Sequence, residues 1–186
     1  MKKSSFVKDA LILFAITFIL GIALSVVEQL TEEPIKKANM AAVLDSYKIV
    51  CPEFADYEDK TEGLTTDYTG PAKLDSALIA KDASGKQVGY IITTISTGFG
   101  GNIKTVTGFD NDLKITGISY PETLSETPGL GMKVTDKDLF INNYIGKTDT
   151  DITDGYLISG ASISSTAVRE GLILAYKCCK SMKGGN

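Results

Sequence analysis

Ala10 to Val27 reads ALILFAITFILGIALSVV, eighteen residues without a charge or a proline. As a helix rising ~1.5 Å per residue, the run spans about 27 Å, close to the hydrocarbon thickness of a bilayer. A core helix would carry a polar stripe, whereas only Thr17, Gly21 and Ser25 interrupt this one. A cleaved signal peptide is the rival, but its apolar core is usually shorter and the cleavage signal here is poor. The run is therefore expected to be an uncleaved transmembrane anchor. Lys2, Lys3 and Lys8 precede it, and Glu28, Glu32 and Glu33 follow it. The lysine bias predicts a cytoplasmic N-terminus over 1–9, a transmembrane helix over 10–27, a juxtamembrane helix over 28–50 and an extracytoplasmic domain over 51–186. Gly21 and Ser25 form a small-xxx-small pair that permits close packing against another helix.

The 186 residues suffice for one compact domain plus this appendage. A net charge of −4 argues against a nucleic-acid partner, which wants a basic face. The chain has no histidine, so Ser–His triads, Cys–His dyads and His-based zinc sites are excluded. Cys51, Cys178 and Cys179 lack CxxC spacing, which disfavours a zinc ribbon or a local iron–sulfur motif. A bridge between the adjacent Cys178 and Cys179 would be strained. A bond from Cys51 to one of them and three free thiols are both open.

Beyond the anchor, Thr31-Glu32-Glu33-Pro34 has an N-cap residue, acidic first-turn residues and an early proline. Apolar spacing at Ile35, Met40, Val43, Leu44 and Tyr47 predicts a helix over 31–49, ended by Cys51-Pro52, which either continues the membrane helix or breaks from it. Residues 53–72 are polar and turn-rich. The segments LDSALIAKD, QVGYIITTIS, IKTVTGFD and LKITGISYP are β-branched and closely spaced, which favours an antiparallel sheet. A short helix is expected over Asp136 to Ile145 and a terminal one over Ser164 to Met182. The class is α+β: one N-terminal transmembrane helix, then a single domain with an antiparallel sheet and flanking helices.

Two stretches carry candidate chemistry. Ser159-Gly160-Ala161-Ser162-Ile163-Ser164-Ser165 sets four hydroxyls just ahead of the terminal helix. Such residues cap the orphan N–H groups of a first turn, and the same groups favour a phosphate. Glu126-Thr127-Pro128-Gly129-Leu130-Gly131-Met132-Lys133 fixes one φ with proline and frees two with glycine. That suits a tight loop leaving a sheet, or close approach of a ligand.

The N-terminal anchor, "TGFGG" at 97–101, "ETPGLG" at 126–131 and "SGAS" at 159–162 occur in this order. Over essentially the whole chain they resemble the FMN-binding domain shared by the G subunit of the Rnf electron-transport complex and the C subunit of the sodium-translocating NADH:quinone reductase. The short length and simple anchor look more like the Rnf member of that pair. The resemblance implies an FMN whose phosphate is esterified by a separate flavin transferase to the last residue of an "SGAT" motif, here Ser162. The transferase would supply the activation, which fits a chain without histidine. Ser164, Ser165 and Thr166 would bond phosphate oxygens or cap the helix. Ser159, Gly160 and Ala161 complete that motif. Glu126, Thr127, Gly129 and Leu130 would border the isoalloxazine, with Leu130 packing on it and Thr127 offering a hydroxyl. Lys133 would pair with phosphate or be solvated. No catalytic residue and no metal are expected.

Two departures from the family stand out. Serine replaces the usual threonine at Ser162, and Tyr156 stands where the transferase's target pattern tends to have an aspartate. Tight non-covalent FMN is the alternative to the ester. The implied role is a relay of single electrons, with no substrate pocket of its own. It would sit in a complex coupling ferredoxin oxidation and NAD reduction to sodium or proton export. The implied partners are other membrane subunits of the complex, the flavin transferase during maturation, and membrane lipid. A stand-alone extracytoplasmic flavoprotein reductase and a flavin-free binding module are the rival functions.

Overall fold

The computed structural model describes residues 3–184. Met1, Gly185, Asn186 and Lys2 of the flanking lysine cluster lie outside the described residues, as do the side chains of Lys3, Glu33 and Ile35. The chain divides between Ala41 and Ala42 into two units.

The described residues of the first unit all belong to α1, Lys3–Val50. Within it Lys8–Glu32 is long and apolar enough to cross a membrane. Its large side chains are exposed, Leu24 at 71% and Phe14 at 66%. That exposure separates it from the core helix of a soluble domain, whose apolar side chains would be covered. The helix expected over 31–49 is present and continues the apolar helix, the first of the two options, while the N-cap reading of Thr31 is corrected. Thr31 sits inside the helix and donates its hydroxyl to the carbonyls of Val27 (2.9 Å) and Glu28 (3.2 Å). Thr, Glu and Pro suit a first turn, but inside this helix the threonine hydroxyl back-bonds to the preceding turn, which offsets part of threonine's weak helix preference. Pro34 removes one helical hydrogen bond without ending the helix.

The second unit holds the last turns of α1 and five strands: β1 Asp56–Asp59, β2 Lys73–Lys81, β3 Gln87–Thr97, β4 Asn102–Phe109 and β5 Ile115–Ser119. They pair in sequence order, antiparallel at every step. Two helices follow, α2 Asp149–Thr153 and α3 Ser162–Gly184. Tyr90, Ile92, Ile103 and Phe109 face α3 with Val168, Leu172 and Ala175. Ile91 and Val106 face the other way, onto Tyr47 and Val50 of α1. Both faces of the central strands are thus covered, which is why β3 and β4 read as near-continuous apolar and threonine runs with only patches of alternation. The β2–β3 and β4–β5 turns are set by aspartates. Asp82 accepts from the N–H groups of Ser84 (2.8 Å) and Lys86 (3.0 Å), and Asp110 from those of Asp112 and Lys114, both at 2.9 Å.

The expected helix over Asp136 to Ile145 is a second correction. Only Ile141–Asn143 forms a short 3₁₀ turn, and no α-helix develops there. The Asp136 carboxylate holds the N–H groups of Asp138 (3.0 Å) and Leu139 (2.9 Å), while Asn143 Nδ2 donates to the Leu139 carbonyl (3.0 Å). The Asp136 carboxylate thus caps a helix start, and the Phe140 N–H on the Asp136 carbonyl (3.1 Å) and the Asn142 N–H on the Lys137 carbonyl (2.8 Å) close a turn that does not propagate into an α-helix. The strand β1 lies within the stretch expected to be turns, and α3 begins two residues before its expected start.

All three cysteines are free. Cys178 and Cys179 are buried on the α3 side, whereas Cys51 packs with the α1 side. The sheet separates them, which closes the option of a bond to Cys51. Burial pushes the Cys178 thiol up to about 11.

One buried feature is polar without being paired. Thr94 and Ser96 of β3 and Thr105 and Thr107 of β4 are buried, with hydroxyls that have no hydrogen-bond partner among the described residues. Gly171 of α3 lies over this row, its missing Cβ leaving room 2.7 Å from Thr94 Oγ1. A buried, unpaired hydroxyl costs free energy that a methyl of the same shape does not. Thr107→Val should therefore stabilise the chain by about 1 kcal/mol. The check is a higher urea midpoint with an unchanged m-value.

Candidate functional site

The start of α3 meets two glycine-rich loops at a cleft of about 330 Å³, lined by Phe99, Glu126, Thr127, Leu130, Gly131 and residues 160–164. One loop, Gly98 to Gly101, turns β3 into β4 and is closed by the Gly98 N–H on the Gly101 carbonyl (2.8 Å). The other contains the turn Thr127-Pro128-Gly129-Leu130. There the Leu130 N–H returns to the Thr127 carbonyl (3.1 Å), and Gly129 takes a φ of 75°. Proline at the second position and a left-handed glycine at the third are what a type II turn demands.

Glu126 joins the three segments. It is 5% exposed. Its Oε1 accepts the Gly100 N–H (3.1 Å) and its Oε2 accepts the Ser164 hydroxyl (2.6 Å). A Cβ on Gly131 would collide with Oε2 and one on Gly98 with Oε1, so glycine at these positions is what lets the carboxylate sit there. No lysine or arginine pairs with Glu126 among the described residues.

The hydroxyls of the 159–165 stretch have separate fates. Ser165 is fully buried. Its Oγ donates to the carbonyls of Ala161 (2.8 Å) and Ser162 (3.3 Å) and accepts the Ile158 N–H (3.3 Å). Ser164 is spent on Glu126. Ser162 alone of the lining serines is exposed, and its hydroxyl has no protein partner among the described residues. The first intrahelical bond of α3 is Ser165 N–H to the Ala161 carbonyl (3.0 Å), so the N–H groups of residues 162–164 have no carbonyl within the helix. Gly160, at φ 81°, turns the chain into this position. The loop before it is tied down by Tyr144, whose hydroxyl donates to the Tyr156 carbonyl (2.8 Å). Burial pushes the Tyr144 phenol up to about 12, against the opposing pull of Arg169.

Of the residues expected at a site, the cleft gathers Glu126, Thr127, Leu130, Gly160, Ala161, Ser162 and Ser164. Gly129, Lys133, Ser159 and Ser165 are not on its lining, and Lys133 lies in the 3₁₀ turn Gly131–Thr135. The cleft adds Phe99, Gly131 and Ile163. Phe99 at 70% exposed, Ile163 at 57% and Leu130 at 47% make an apolar rim. An exposed aromatic in a glycine-rich turn was a signal available in the sequence. This rim, a helix start with orphan donors and one unpaired hydroxyl suit a planar apolar ring that carries an anionic tail, as FMN does.

Residues 98–177 match the FMN-binding domain family. The chain is 30% identical over 160 residues to the G subunit of the ion-translocating oxidoreductase complex of Methanosarcina acetivorans, covering 83% of this chain and 84% of that protein. It is 28% identical over 192 residues to the G subunit of the Na⁺-translocating ferredoxin:NAD⁺ oxidoreductase complex of Acetobacterium woodii, covering 94% of this chain and 92% of that one.

Proposed function

The chain belongs to the family of G subunits of ion-translocating oxidoreductase complexes, and from that premise we propose that it relays single electrons through an FMN ester-linked to Ser162. It is an FMN-binding electron-transfer component of a larger redox assembly; the flavin supplies the electron chemistry when bound. The single observation that carries the attachment point is the isolation of the Ser162 hydroxyl, exposed in the cleft while Ser164 and Ser165 are committed to protein groups. In this reading the orphan N–H groups of α3 hold the phosphate, and Phe99, Leu130 and Ile163 meet the ring. Ser159, Gly160 and Gly129 shape the backbone around it, and Lys133 is solvated. The chain itself holds no separate substrate site. The complex would use ferredoxin and NAD and move sodium, as the name of the Acetobacterium woodii relative states for that complex, with protons as the alternative ion.

The lysines before the apolar helix support an N-terminus in the cytoplasm. Residues 10–27 then span the lipid and residues 51–186 work on the far side, loaded there by a flavin transferase. Free FMN would be scarce and easily lost in that compartment, so a tether keeps the redox centre in place.

The test is intact mass and peptide mapping of the full chain made alongside a flavin transferase. The expected result is a yellow protein heavier by FMN less water, with the added mass on the peptide containing residues 159–166. Unmodified protein overturns the ester. Co-purification with further membrane subunits is expected, and isolation as a lone flavoprotein would favour the stand-alone reductase.

A further inference from the structure

The carboxylate of Glu126 shares the first turn of α3 with the proposed phosphate position, and it brings a negative charge there. Its two protein hydrogen bonds come from neutral donors, Gly100 N–H and Ser164 Oγ–H. No cation offsets it among the described residues. The glycines at 98 and 131 leave it little room to swing away. The positive end of α3 is therefore already partly answered by a protein charge before any ligand arrives.

The two forms of FMN differ in charge at this point. A free phosphate monoester carries close to two negative charges at neutral pH. A phosphate esterified to Ser162 is a diester with a single ionisable oxygen, and so carries one. Beside a fixed, poorly screened carboxylate the difference of about one charge matters.

Resting on the FMN reading above, we infer that Glu126 makes the cleft selective for the singly charged, ester-linked phosphate and against free FMN. The residue acts as a charge filter. It keeps the unmodified chain from filling with loosely held flavin, and it is tolerated once the ester has formed. It is a specificity-determining residue with no part in electron transfer.

The experiment titrates FMN, and separately riboflavin, into the unmodified full-length chain in detergent, following flavin fluorescence. Glu126→Gln keeps the size, can accept the Gly100 N–H and can bond Ser164. It should bind FMN at least about tenfold more tightly than wild type. Riboflavin, which has no phosphate, should bind both chains equally. Ser164→Ala keeps the carboxylate and loses one of its bonds, so its FMN affinity should not rise. Equal FMN affinities for wild type and Glu126→Gln, including no measurable binding to either, overturn the inference. So does a parallel gain for riboflavin, or an equal gain in Ser164→Ala, since either would trace the effect to shape rather than charge. Because the chain is titrated unmodified, a failure of attachment at Ser162 appears in the mass measurement and not here.

Discussion

A Ser162→Ala chain made alongside a flavin transferase should carry no ester-linked FMN, while Ser162→Thr should be loaded like the wild type. The argument is one of access. An esterified oxygen must be reachable and must not already be holding the protein together. Ser164 is 1% exposed and donates to Glu126 at 2.6 Å; Ser165 is fully buried and bonds back into its own helix. Losing either proton to a phosphoester would bury a bulky anion in place of a satisfied hydroxyl, at a cost of several kcal/mol. Ser162 is exposed and unpaired, so its substitution costs little stability, within about 0.5 kcal/mol as for other surface positions. Threonine presents the same oxygen and adds one methyl beside the cleft. Intact mass reads the outcome directly. Retained flavin on Ser162→Ala would move the acceptor to another hydroxyl, with Ser159 first, since it is the next exposed one in the stretch.

The hydroxyl-rich stretch shows how far a sequence pattern reaches. Four hydroxyls clustered at the head of a helix announce a helix start, and that much was legible, because the preference is local. Their division of labour was not. Whether Ser164 caps, binds a ligand or bonds Glu126 depends on a residue 38 positions away, brought near by the turn out of β5 and the 3₁₀ turn at Gly131. The same limit hid Glu126 as a junction, since nothing local says that glycines at 98, 100 and 131 close around its carboxylate. The sheet was legible for the opposite reason: β-branched runs between short turns fix their own periodicity and pairing order. Where expectation failed, at the Thr31 cap and over Asp136 to Ile145, the local signals were present but the helix ran through the first and no α-helix propagated over the second. Such signals are worth only about a kcal/mol each.

Gly108→Val should destabilise the chain by about 3 kcal/mol or more, although strand propensity alone predicts the opposite sign. Gly108 of β4 pairs with Gly117 of β5, and together they form a notch in the sheet. Val50, the last residue of α1 and fully buried, sits in it. A Cβ on Gly108 would lie 2.5 Å from the Val50 carbonyl oxygen and 2.9 Å from its Cβ; one on Gly117 would lie 2.8 Å from the Val50 Cα. Thr116 closes the notch by donating its hydroxyl to the same carbonyl at 2.6 Å. Two of these obstacles are backbone atoms, which cannot rotate away as a side chain would, so the strand or the helix end must shift. A shift that lifts Val50 also strains the Thr116 bond, and with it the packing of Tyr47 on Ile91 and Val106. Gly108→Ala should cost less, with the same sign, because its Cβ makes the same collision without the two methyls. The measurement is a urea unfolding midpoint on the full chain in detergent, compared at constant m-value. A rise in midpoint for valine would mean that strand propensity outweighs the notch and that α1 is not held by it.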